Sequence, residues 1–119
     1  VNVGATAWRR WLPVGLWLVV CVAAQESAVL TRVVDDKAAH AAVFAVLGVL
    51  VYLVLTRGMQ VATAGAIFLT LTFALAVGAT DELLQSWQRT RTPDFADLAF
   101  DLGGAALGAI AAAALARRA

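Results

Sequence analysis

The sequence predicts an all-α polytopic membrane protein, a single domain over residues 1–119 folded as a bundle of four transmembrane helices. Three observations lead there. First, 62% of the residues are apolar and only 14% are charged, whereas a soluble domain of this size has about half apolar and about a quarter charged. Too little polar surface is left to cover a globule in water, and the mean hydropathy is +0.84. Second, the apolar residues lie in runs close to the roughly 20 residues a helix needs to cross a bilayer. Third, the charges are gathered between those runs, with seven of them between Asp81 and Asp101.

The runs place helices at about residues 8–26, 36–56, 60–88 and 94–116. The core of the first is Leu12 to Ala24, with Pro13 in its first turn, where proline is tolerated. Arg9-Arg10, the short apolar run and Val22-Ala23-Ala24 also resemble the parts of a signal peptide. Three later spans keep the protein in the membrane even so. The second helix, Ala38 to Thr56, is apolar except for His40. Arg57-Gly58-Met59-Gln60 reads as a tight turn, with Gly58 supplying the backbone freedom. Val61 to Ala79 is uncharged, and its helix continues through Gln85 into the charged stretch. Pro93 breaks it. A fourth helix from Asp94 to Leu115 is rich in alanine and glycine, and Gly104 and Gly108 allow another backbone to approach closely. This places it in the middle of the bundle; a dimer interface is the competing use of the same face.

Net charge is +1, which suggests no nucleic-acid partner. The one cysteine, Cys21, excludes an internal disulfide and a cysteine-rich metal site. Dividing the charges by the four spans puts Arg9, Arg10, Arg57, Arg117 and Arg118 on one side with no acid. The other side holds Arg32, Lys37, Arg89 and Arg91 with all the acids. Cations near span ends favour the cytoplasm. Both termini are therefore expected inside a cell membrane, and the polar cluster outside it. Trp8 and Trp11 at one end and Trp87 at the other suit interfacial anchors.

Ionisable groups near bilayer depth mark a functional site by default. Asp36 and His40 are four apart and share a helix face with Lys37 one step round. Asp81, Gln85 and Arg89 form a second stripe, with Glu82 beside it. Asp94, Asp97 and Asp101 fall on one face of the fourth helix, Asp101 deepest. A buried aspartate there needs a cation, a proton or a metal. Arg91 is the foremost partner, because its planar fork grips a carboxylate or phosphate in two contacts; Arg89, Lys37 and His40 are the others. No Gly-rich phosphate loop, cofactor motif or hydrolase triad is present, and the carboxylates lack a metal-site signature.

These residues resemble the VanZ-like family of small bacterial membrane proteins. The likeness rests on DKAAHAAVFAVLG (Asp36 to Gly48), TDELLQ (Thr80 to Gln85) and RTPDFADLAFDLGGAALG (Arg91 to Gly108). It carries the family's polar pattern onto Asp36, Lys37, His40, Asp81, Glu82, Gln85, Arg91, Asp97 and Asp101, although the family more often has asparagine at the last. The family is named for a protein associated with resistance to the glycopeptide teicoplanin, so the resemblance implies a place in the bacterial cell envelope.

Three readings follow. In the first, an outward-facing polar pocket binds an anionic envelope component, with membrane lipids, a lipid-linked cell-wall precursor or a lipoglycopeptide as the expected partners. Arg91 and Lys37 hold the anion there, and Asp36, Asp81, Asp97 and Asp101 orient them. The second is a membrane-embedded, metal-assisted hydrolase or transferase using His40, Glu82 and Asp97. The third is an assembly subunit whose polar cluster only locks its helices together.

Overall fold

The computed structural model describes residues 6–25, 36–87 and 95–118. They form four α-helices and no strand: α1 (Leu12–Gln25), α2 (Asp36–Leu53), α3 (Thr63–Ser86) and α4 (Phe95–Arg118). A 3-10 turn, Ala7–Trp11, leads into α1, and a π-helical turn, Val54–Gly58, closes α2.

Three segments are long and apolar enough to cross a membrane: Lys37–Gly58, Thr63–Leu84 and Phe95–Arg118. The first helix differs from expectation. Its α-helical part has 14 residues, which at about 1.5 Å per residue is roughly 21 Å, short of a hydrocarbon core about 30 Å thick. Proline at its second position is compatible with the first helical turn.

α2 and α4 run parallel. Lys37 meets Asp97 near their N-terminal ends, and further along both chains Gly108 lies against Ala45. α3 is antiparallel to α4, because Gly78 near its C-terminus lies against Leu98 and Asp101. α1 is antiparallel to α2. The Arg10 guanidinium donates to the Gly58 carbonyl, and seven residues on, Trp17 Nε1 donates to the Val43 carbonyl at 3.0 Å.

The α2–α4 interface is the most extensive in the molecule, and small residues make it possible. A Cβ added at Gly104 would sit 2.9 Å from the Ala41 Cα, and one at Gly48 would be 2.9 Å from the Ala105 Cα. Backbone therefore packs on backbone, which maximises dispersion contact where lipid supplies no hydrophobic drive between helices. Ala105 and Ala109 are fully buried in this seam. α4 is not central, however. Leu107, Ile110 and Leu115 on its opposite side are exposed, so one face suits lipid and the other the bundle.

Hydroxyls on the spans are satisfied locally: Thr56, Thr70, Thr72 and Thr80 each donate to the carbonyl four residues earlier. The turn after α2 also departs from expectation. The positive φ, 57°, belongs to Gln60 and not to Gly58. The π-helical bond from the Met59 amide to the Val54 carbonyl, 3.0 Å, sets that turn. Gly58 serves instead to admit Arg10, whose Cδ would stand 3.1 Å from an added Cβ.

Candidate functional site

The helix directions decide where the charges go. The N-terminal ends of α2 and α4 and the C-terminal end of α3 share one end of the bundle. Asp81, Glu82, Asp97 and Asp101 lie there with Lys37 and His40. At the other end lie Arg9, Arg10, Arg57, Arg117 and Arg118, with no acid among the described residues. Tryptophans mark both ends. Trp87 is exposed at the acidic end and Trp8 at the basic one, where the Arg9 guanidinium lies over its ring at 5.7 Å. Trp11 turns inward and stacks on Phe73 with ring centroids 6.1 Å apart.

At the acidic end, residues 60 positions apart in sequence are brought into contact. Lys37 Nζ is 3.3 Å from Asp97 Oδ1 and lies 5.7 Å from the centre of the Phe100 ring. One turn deeper, His40 Nδ1 is 2.6 Å from Asp101 Oδ1, and His40 Nε2 is 3.8 Å from Asp97 Oδ2. The imidazole is thus wedged between two carboxylates of one α4 face. The i, i+3 step from Lys37 to His40 matches the i, i+4 step from Asp97 to Asp101, because the helices are parallel.

Asp101 is the deepest member, 0% exposed. Its Oδ2 has no hydrogen-bond partner among the described residues. It faces Gly78 of α3, where an added Cβ would approach to 2.9 Å. A glycine at that position is what lets the carboxyl tuck under α3 at all. The charges of Asp81 and Asp97 also act on Asp101.

Of the nine expected site residues, the structure brings four into contact: Lys37, His40, Asp97 and Asp101. Among the described residues His40 is the partner of Asp101, and Lys37 is the partner of Asp97. Arg91, Arg89 and Asp94 lie outside the described residues, as do the side chains of Asp36 and Gln85. Of the two acids ending α3, Glu82 is buried while Asp81 is half-buried. Among the described residues no three of His, Cys, Asp and Glu are arranged to hold a metal ion, so His40 and Asp97 are not joined by Glu82 as a ligand set. Gly78 and Phe100 were not singled out by the sequence. The signal for Gly78 was available: it precedes Asp81 by three and Glu82 by four, on their helix face.

The family model described as VanZ/LLP1 matches residues 6–116. The chain belongs to the VanZ/LLP1 family. The match includes the first helix, for which the sequence motifs offered only a general likeness. All three motif segments fall within it, and two of them, on α2 and α4, carry the pairs that meet in the site. No curated protein and no solved structure matches the chain with significance.

Proposed function

We propose that this VanZ/LLP1 member is a multi-pass protein of the bacterial cell membrane whose acidic-end cluster is an outward-facing pocket for an anionic envelope component. The observation that carries this reading is Lys37. Its ammonium sits at the rim, 41% exposed, above the buried His40–Asp97–Asp101 network. A cation held at a membrane surface with one side open can exchange part of its pairing for a headgroup phosphate or carboxylate. Arg91 stands four residues before Phe95 in the sequence, and its planar fork suits such a group. A lipid-linked phosphate or a cell-wall precursor carboxylate fits best. Altering what a glycopeptide meets at the surface would connect the site to the resistance for which the family is named.

The 3-10 turn adds about 10 Å to α1 at about 2.0 Å per residue, so the two together approach the length of a fourth span. Both termini then lie on the basic side, and five arginines there favour the cytoplasm. On this reading residues 1–119 act as one membrane domain.

The test replaces Lys37 and Arg91 with alanine, separately and together, at matched membrane abundance. Retention of a polyprenyl phosphate by the purified protein and teicoplanin susceptibility of the cells are then measured. Loss of retention in the double variant supports the reading; unchanged retention and unchanged susceptibility refute it. A second reading, that the cluster only locks the helices, is favoured by its position directly above the Gly104–Ala41 backbone contact. Under it, the same variants lose folding and abundance and show no specific defect.

A further inference from the structure

We infer that His40 and Asp101 form a buried proton-binding site, loaded from the rim through Asp97, whose ligand is one exchangeable proton. The inference stands whether or not an anion binds at Lys37.

The groups lie in a row from the rim inward, with one gap. Lys37 Nζ is 3.3 Å from Asp97 Oδ1, Asp97 Oδ2 is 3.8 Å from His40 Nε2, and His40 Nδ1 is 2.6 Å from Asp101 Oδ1. Side-chain exposure falls from 41% at Lys37 to 1% at Asp101. The chain ends on Asp101 Oδ2, which has no hydrogen-bond partner among the described residues and is closed off by Gly78.

Counting protons shows what such an arrangement holds. A ring nitrogen and a carboxylate oxygen at 2.6 Å have a proton between them. When His40 is neutral and donates from Nδ1, the pair carries the single negative charge of Asp101. One more proton, on the ring or on the carboxyl, makes the pair neutral. Among the described residues, the charges besides His40 that act on Asp101 come from carboxylates. α3 contributes Asp81, and α4 contributes Asp97. α2 contributes Lys37, whose charge Asp97 takes up. A fully buried carboxylate with one oxygen unsatisfied, among further acids, is costly. The added proton removes that cost, so the pair has two states of different charge and an evident reason to bind.

The route is equally specific. A proton from water at the rim is taken by the Asp97 carboxylate and passed to His40 Nε2. The Nδ1 proton then moves to Asp101 Oδ1, leaving His40 neutral with its proton on Nε2. One proton has entered and one rests on Asp101, so the count balances. At 3.8 Å the Asp97–His40 step is just beyond hydrogen-bond reach. A small rotation of the ring or the carboxyl closes it, and that rotation controls loading. Chains of Asp, Glu and His inside membrane proteins are the usual substance of proton relays.

The chain has a single histidine, so isotopically labelled histidine reports His40 alone. The full-length protein is reconstituted in phosphatidylcholine vesicles. Its ring-nitrogen resonances are followed from about pH 4 to about pH 10 in the wild type, Asp101→Asn and Asp97→Asn. The expected result is one protonation step in the wild type. In Asp101→Asn, whose amide cannot take the proton, its midpoint moves by more than about half a pH unit. Asp97→Asn is expected to move it too. A folded wild type whose His40 does not titrate over that range overturns the inference. So does a midpoint that differs between wild type and Asp101→Asn by less than about half a unit. If Asp101→Asn does not fold, the infrared carboxyl bands of the wild type decide: a change in step with His40 supports the shared proton, and none overturns it.

Discussion

Adding one methyl group at Gly104 should destabilise the protein, whereas adding it at the adjacent Gly103 should not. A Cβ at Gly104 would stand 2.9 Å from both the Cα and the carbonyl carbon of Ala41, with the Ala41 oxygen nearer still. Carbon atoms pack best at about 3.5–4.0 Å, so the helices are too close by roughly 0.6–1.1 Å. The obstacle is backbone, which cannot swing aside as a side chain would. α2 and α4 must separate, and neighbouring contacts along the seam loosen with them. Overpacking of this kind costs about 1–3 kcal/mol. At Gly103 an added Cβ meets nothing within 4 Å. Both substitutions gain the same helix propensity, about 0.8–1.0 kcal/mol, because they are neighbours in one helix, so that contribution cancels in the comparison. Gly104→Ala should therefore be less stable than Gly103→Ala by about 1–3 kcal/mol. Unfolding of both in mixed micelles by added anionic detergent, followed by tryptophan fluorescence, measures the difference. Stabilities equal within about 0.5 kcal/mol, or Gly103→Ala the weaker, would refute the backbone-on-backbone account of this interface.

Three further outcomes are expected. Asp101→Asn keeps an oxygen to accept from His40 and should hold stability near wild type, whereas Asp101→Leu strands the imidazole and should cost about 1–3 kcal/mol in the same unfolding assay. Trp17→Phe removes the bond to the Val43 carbonyl; it should cost about 1 kcal/mol and speed alkylation of Cys21, while an unchanged rate would mean that α1 is docked by other contacts. A cysteine placed at Ser86, in a Cys21→Ala background, should react with an impermeant thiol reagent on intact cells; protection until lysis would reverse the proposed orientation.

The general shape of the molecule was legible because each apolar run must satisfy its own backbone in lipid, so helix positions follow from composition. Residues 36–56 and 60–88 were close to the observed α2 and α3 for that reason. The close α2–α4 seam could be foreseen from one side only: Gly104 and Gly108 announced a backbone approach, but nothing local names Ala41 and Ala45 as the surfaces approached. Pairing was the harder question. Arg91 looked the better partner for Asp101 because guanidinium chemistry is stronger than imidazole chemistry. The register of two parallel helices, which no single segment encodes, brings His40 to it, and Arg91 lies outside the described residues. The first helix was overestimated because an apolar run does not reveal where α-helix gives way to a 3-10 turn. Gly58 was read as the permissive position of a tight turn; its lack of a side chain is used to seat Arg10.

The partnership between the second and fourth helices has a consequence for biogenesis. Their contact spans the whole of α3 in sequence, so during synthesis the earlier helix must wait in the bilayer while a full hairpin is threaded. The acids that Lys37 and His40 finally engage emerge from the ribosome 60 and 61 residues after them. Nascent chains stalled before that point carry their basic groups into lipid without those acids. Any pause in synthesis before α4 therefore leaves the bundle without its most extensive interface.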